Sequence, residues 1–389
     1  MIINTTAALE NICQELISQN NKFIAIDTEF IRNNITYYPI LSLIQISFGT
    51  KSFIVDALAH TIDLSAIKML MLSQNITKVF HSCRQDIESL FTIFKCIPRP
   101  IFDTQIAAMF CDYYYEFVGY SQIVKEYQGI SLDKIKAKHS NWLQRPLSQD
   151  QLDYALNDVI YLYHLYQILF NKLVQNNRII WFQEEMESLS DINQYMYHPK
   201  HAWKRLKCLY VDNSKYALLI KSVIEWQETL AQRYNINRNK IINHAILRGF
   251  IEHKIENINN IIHDIKKTSH NIKDKDLLEL VKIFNHNELI SSQSPETHIT
   301  CYDKSILDIL SIILEGKCQE NNISRKLVVS KNELSRSISG NTDKVFKGWR
   351  YNFFGSDIES FLSAQSKFEI SATQDINETI KLRSFRIEN

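Results

Sequence analysis

The residues of this chain whose types and spacing could do chemistry are acidic, and they recur in three short segments. Asp27-Thr28-Glu29 puts two carboxylates at i and i+2, so a strand there projects both from one face. Two anions side by side repel unless a cation sits between them. Asp86 follows a short apolar run and falls in the first turns of a predicted helix. Tyr154 and Asp158 are spaced i, i+4, which puts a phenol and a carboxylate on one helix face. Taken singly, each feature is ordinary. Together, Asp27, Glu29, Asp86 and Asp158 offer four hard oxygen ligands, which suit Mg²⁺ or Mn²⁺ better than Zn²⁺. Two such ions about 4 Å apart activate a water and stabilise the leaving oxygen of a phosphodiester. Tyr154, beside one ligand, can orient the attacking water. The set predicts metal-assisted phosphoryl hydrolysis.

The elements that must position these groups are readable from hydrophobic period. Residues 23–27 read as a buried strand, 41–48 alternate apolar and polar as a second, and 51–55 suggest a third. Short links between them predict an antiparallel meander. The pattern then switches to helix over 64–72, strand over 78–80, helix over 84–94 and a brief strand over 101–103 after Pro98 and Pro100. Residues 104–110 and 120–127 look helical, and Ser148 is a good N-cap for a helix running to about Leu173. The expected fold is α/β, a mixed sheet flanked by helices. From Trp181 onward the spacing is helical, over 202–210, 215–234 and 240–252, then a further pair separated by the polar stretch 266–275. Residues 291–297 read as a linker, 302–366 as a last helical block, and the polar tail after Thr373 as loosely ordered.

A chain of 389 residues, 45% hydrophobic, is long enough for two or three domains with real cores. Seven scattered cysteines form no C-x-x-C pair, which argues against a thiolate zinc site and against a disulfide framework. No apolar run reaches membrane-spanning length, and the first residues lack a basic stretch followed by an apolar core, so the expected location is the cytoplasm. Net charge is only +1, but its distribution is uneven. Residues 199–250 hold ten Lys and Arg against three acidic residues, while 1–189 hold fifteen against nineteen. An acidic half that could hold cations precedes a basic segment that could hold phosphates.

The motifs resemble the ribonuclease D family, exonucleases with D-E-D-D carboxylates and a tyrosine four residues before the last Asp. The likeness runs through Phe23-Ile24-Ala25-Ile26-Asp27-Thr28-Glu29-Phe30, Tyr37-Tyr38-Pro39, Leu43-Ile44-Gln45, Val79-Phe80-His81-Ser82 to Asp86, Ile101 to Gln105, Trp142 to Leu147, and Tyr154 to Asp158. It implies a ribonuclease H-like nuclease domain over 1–195, with Asp27, Glu29, Asp86 and Asp158 binding two divalent ions, Tyr154 orienting water, and Glu29 touching the terminal ribose hydroxyl. It also implies helical HRDC nucleic-acid-binding modules. The first, over 196–288, rests on Ala202-Trp203-Lys204-Arg205-Leu206 and Asn237-Arg238-Asn239-Lys240; a divergent second, over 298–372, rests on Gly348-Trp349-Arg350, with a polar tail over 373–389. Gln45, Arg238 and Lys240 are then expected RNA contacts, and Trp203 and Trp226 core residues. The implied activity is 3′→5′ exoribonucleolysis of RNA with a free 3′ end, such as tRNA precursors, by a monomer. A DNA exonuclease and a non-catalytic binding protein are the alternatives. Asn141 departs from the pattern, standing before Trp142 where the family leads one to expect an acid.

Overall fold

The computed structural model describes residues 1–113, 118–132, 140–206, 215–251, 258–268, 272–288, 304–338, 344–363, 366–371 and 381–386. The first half is built on a six-stranded mixed sheet of order β1-β4-β3-β2-β5-β6. The strands are β1 (Ile2–Ile3), β2 (Phe23–Ile31), β3 (Ile40–Phe48), β4 (Lys51–Asp56), β5 (Thr77–Phe80) and β6 (Ile101–Asp103). β2, β3 and β4 form the expected antiparallel meander; β5 joins β2 in parallel and β6 joins β5. The helices are α1 (Thr6–Ser18), α2 (Ser65–Leu72), α3 (Arg84–Phe94), α4 (Thr104–Cys111), α5 (Tyr120–Gln128), α6 (Gln149–Gln175) and α7 (Ile179–Leu189).

Both faces of the sheet are buried. Ile24, Ile26, Ile44, Ile46, Phe53 and Val55 share a core with Leu9 of α1, Leu70 of α2 and Leu90 of α3. On the opposite face Leu43 and Ile54 pack with Trp142 and Ala155, the latter on α6. Each fully buried Ile, Leu or Phe contributes roughly 1.5–3 kcal/mol, so burial on both faces fixes the register. A slip of one residue would carry Asp27 and Glu29 to the wrong face.

The long helix α6 is set by its N-terminus. Ser148 and Gln151 form a capping box, with Ser148 Oγ accepting from the Gln151 amide at 3.3 Å and Gln151 Oε1 from the Ser148 amide at 3.0 Å. The loop before it is tied to the sheet. Arg145 forks onto Asp56 of β4 at 2.7 and 2.6 Å, and Ser42 Oγ of β3 donates to the Trp142 carbonyl at 2.6 Å.

The second half is helical. Four helices, α8 (Lys215–Tyr234), α9 (His244–Ile251), α10 (Ile258–Thr268) and α11 (Asp274–Glu288), enclose a core of their own around Ile224, Leu230, Ile241 and Leu280. Trp226 is in it, donating Nε1–H to the Asp276 carbonyl at 3.0 Å. The last block comprises α12 (Lys304–Glu320), α13 (Arg325–Val328), α14 (Lys331–Ile338), α15 (Gly348–Arg350), a π-turn over Tyr351–Gly355, and α16 (Ser356–Leu362). It merges with the core of the first half: Trp349 stacks on Trp181 of α7 at 5.3 Å, and Arg350 pairs with Glu185 at 2.5 and 2.9 Å.

Several expectations need correction. β1 and α1 were not foreseen; β1 is two residues long and exists only by pairing with β4. The helix expected over 202–210 is a 3₁₀ segment, Pro199–Arg205, with 207–214 outside the described residues. The helix expected from Lys240 begins at His244, after a 3₁₀ turn at Arg238–Lys240. The linker over 291–297 lies outside the described residues. The tail is not all loose: β7 (Ser366–Ser371) and β8 (Lys381–Arg386) pair as an antiparallel ladder, a partnership that polar composition does not announce. Among the described residues no helix is long and apolar enough to cross a membrane.

Candidate active site

The site forms where β2 passes beneath α6. Asp27, Glu29 and Asp158 each bring a carboxylate oxygen within 4.8 Å of the others. They line a cavity of about 250 Å³ with Thr28, His81, Tyr120, Tyr154 and Leu162. Strand alternation supplies the first two, and one helical turn puts Tyr154 beside Asp158, to which it is hydrogen-bonded. Burial, and then the charges of Asp158, Glu29 and Asp27, push the Tyr154 phenol far above its ordinary pKa. Burial, then Asp158 and Asp27, do the same to Tyr120, whose hydroxyl donates to the Asn157 carbonyl at 3.0 Å. The geometric cluster of three carboxylates calls for a hard cation as its physical complement. The donor set, all carboxylate oxygen, fits Mg²⁺ or Mn²⁺.

Asp86 is the exception among the four expected ligands. Thr28, between Asp27 and Glu29 on β2, donates its hydroxyl to Asp86 Oδ1 at 2.6 Å, which seats Asp86 at the α3 side of the strand. Its carboxyl is buried, and that burial raises its pKa against the opposing pull of the Thr28 hydrogen bond. Three carboxylates therefore meet in one cage, and the fourth is tied to the same strand through Thr28. Asp103, buried at the N-cap of α4, shapes the approach to Asp86. Its carboxylate accepts from the Ser82 and Cys83 amides at 3.0 and 2.8 Å and from those of Gln105 and Ile106 in its own helix. This stabilises Ser82 at φ +59°, a left-handed conformation that L-residues rarely adopt, and so sets the direction of α3.

The expected RNA contacts fare differently from the carboxylates. Gln45 is fully buried in β3, directly across from Asp27, so it cannot touch RNA. Arg238 is turned inward: its Nε and Nη2 reach Glu228 at 2.6 and 2.7 Å, and its guanidinium lies 4.7 Å from the Tyr37 ring centroid. Glu228 also takes Arg205 at 2.6 Å and the Tyr37 hydroxyl, while Asn235 Oδ1 accepts from the Tyr37 and Tyr38 amides. Arg238 is thus part of a clasp that grips the β2–β3 loop. Burial alone would raise the Glu228 carboxyl, but bonds from Arg238 and Tyr37 and the adjacent guanidinium charges hold it below the usual range. Arg233 likewise pairs inward, with Asp276 at 2.7 Å. The basic stretch therefore offers less to a polyanion than its count of cations suggests. Lys240 is exposed. Asn141 accepts the Leu143 amide at 3.1 Å, a local turn bond that a carboxylate could equally make.

His81, Tyr120 and Leu162 line the cavity without having been picked out beforehand. His81 had a visible signal, a polar ring immediately after the buried strand β5. Thr104 Oγ1 donates to the Phe80 carbonyl at 3.0 Å, so its 3.0 Å contact with His81 Nδ1 makes that nitrogen the donor. Tyr120 sits far from the other site residues in sequence, with no spacing that links it to them.

Residues 1–174 match the 3′-5′ exonuclease family. Ribonuclease D of Bartonella henselae is 33% identical over 388 residues, covering 95% of this chain and 92% of the relative. That of Zymomonas mobilis is 32% identical over 381 residues, 95% of each. The chain belongs to the ribonuclease D family. It is a 3′→5′ exoribonuclease, in a nuclease class that depends on divalent metal. The Escherichia coli RNase D crystal structure, described as that of an exoribonuclease involved in structured RNA processing, superimposes with a TM-score of 0.79. It is 22% identical and covers 94% of this chain and 98% of that one, so the ribonuclease D fold is shared along nearly the whole length.

Proposed function

We propose that Asp27, Glu29 and Asp158 hold one divalent ion, Mg²⁺ or Mn²⁺, and that Asp86 with Asp27 serves a second. There the chain hydrolyses RNA stepwise from the 3′ end to nucleoside 5′-monophosphates. The observation that carries this reading is the meeting of three carboxylates from β2 and α6 beside the Tyr154 phenol. When bound, the ions supply a nucleophilic water at neutral pH and a counter-charge for the leaving oxygen. The chain does the rest. Tyr154, which lines the same cavity one turn from Asp158, orients the water by hydrogen bonding. Asp158 holds that phenol in place from one turn away. Glu29 faces the terminal ribose hydroxyl, which accounts for the demand for a free 3′ end. Thr28 keeps Asp86 seated behind the strand.

In this reading the helical blocks over 196–288 and 298–372 are HRDC modules that hold RNA, with Lys240 among their phosphate contacts. The RNAs are precursors of tRNA and other small stable RNAs, and the enzyme works as a monomer in the cytoplasm. The free thiols of Cys13, Cys83, Cys111 and Cys318, all buried, suit such a reducing compartment. Incubating the chain with 5′-labelled RNA and Mn²⁺ should give a ladder shortening from the 3′ end. If Asp27→Ala or Asp158→Ala left that ladder unchanged, the reading would fail.

A further inference from the structure

Gln45 is a polar side chain that packing does not explain. It is fully buried in β3, and among the described residues neither Oε1 nor Nε2 meets a hydrogen-bond partner. On its face Ile54 stands across from it on β4, with Leu43 two residues earlier and Ser47 two residues later; the Ser47 hydroxyl is already engaged, donating to the Lys51 carbonyl at 3.4 Å and accepting from Ser52 at 2.9 Å. A Leu or Met would fill this place without an unmet donor and acceptor, which a buried amide tolerates poorly. The residue directly opposite it is Asp27 on β2, therefore on the same face, with Glu29 diagonal to it. Asp27 in turn belongs to the three-carboxylate cage.

We propose that Gln45 is a positioning residue for Asp27. Its Nε2–H donates to the Asp27 carboxylate, directly or through one buried water, and so fixes the rotamer of that ligand. Outer partners of this kind orient metal-binding carboxylates and raise metal affinity without touching the ion. The inference rests on the reading of the cage as a metal site. It replaces the expected RNA contact, which burial forbids, and it gives a role to a buried amide that meets no partner among the described residues.

The test is Gln45→Met in the full chain, with Gln45→Leu as the second variant should the first fail to fold. Mn²⁺ binding is measured by titration calorimetry, the metal-free melting temperature by calorimetry, and kcat and KM on a 3′-labelled single-stranded RNA. The expected result is Mn²⁺ affinity weakened about 10–100-fold, kcat reduced in step, KM within about 2-fold, and a metal-free melting temperature equal to or above wild type. Such a split cannot come from a packing role, which would move stability and leave metal binding alone. A variant that binds Mn²⁺ as tightly as wild type, with kcat intact, overturns the proposal. A wild-type chain that binds no Mn²⁺ overturns the cage reading itself, a separate and recognisable failure.

Discussion

Replacing Glu228 with Ala removes the centre of the clasp between the β2–β3 loop and the middle helical module, and its size can be worked from the structure. Glu228 is 2% exposed and accepts two bonds from Arg238, one from Arg205 and one from the Tyr37 hydroxyl. Bonds to charged groups are worth about 1.5–3 kcal/mol each, but the gross sum overstates the loss. The Arg205 and Arg238 side chains are 31% and 36% exposed, so both guanidinia recover water once freed, and Tyr37 keeps its bond from Gln232. Truncating one partner of a buried pair costs about 3–5 kcal/mol; partial exposure brings the expected loss to about 2–4 kcal/mol. Guanidinium unfolding followed by fluorescence reads this directly, because Trp203 and Trp226 both belong to that module. The control is Arg32→Ala. Its pair with Glu88 is as short, at 2.5 Å, but Arg32 is 44% exposed, so under about 1 kcal/mol is expected. Because Glu228 is held below the usual carboxyl range, its contribution is complete above the ordinary glutamate value of about 4.3 and is lost as pH falls through the lowered one. The difference between wild type and variant should therefore shrink in acid. A loss no larger than that of the control, or one that ignores pH, would refute the clasp.

Two further outcomes follow from the same geometry. Lys240→Ala should reduce the salt slope of RNA binding by about 1, whereas Arg238→Ala should lower stability and leave that slope unchanged; equal slopes for both variants would mean Arg238 faces phosphate after all. Tyr154→Phe should lower kcat by about 10²–10³-fold, in the range of lost general acid–base or positioning groups, while Mn²⁺ affinity stays near wild type because the three carboxylates remain. Near-normal turnover in that variant would remove Tyr154 from the mechanism.

What the sequence made legible was local. The i, i+2 pair on β2, the i, i+4 pair on α6, the Ser148 cap and the meander all depend on neighbours a few residues away, so period and spacing announce them. The spacing of Leu9, Ile12, Cys13 and Leu16 would have announced α1 as well, since all four are buried along one face. What escaped depended on distant partners. That Asp86 is held from the α3 side by the hydroxyl of Thr28, 58 residues earlier, was not legible in the spacing. Gln45 resembles a polar strand residue facing solvent until α6 lies over β3. Arg238 resembles a phosphate contact until Glu228, ten residues back on α8, and Tyr37, far earlier in the chain, are seen to enclose it. Spacing along a chain shows which side chains share a face; it does not show which charge from elsewhere will already have met them.

The most direct measurement of the central claim is anomalous diffraction at the manganese edge from crystals soaked in Mn²⁺. The account predicts a peak within about 2–2.5 Å of carboxylate oxygens from Asp27, Glu29 and Asp158 together, as expected for oxygen ligation of such ions. Well-diffracting crystals at saturating Mn²⁺ with no peak at that cage, or with a peak held elsewhere while these three side chains point apart, would contradict it.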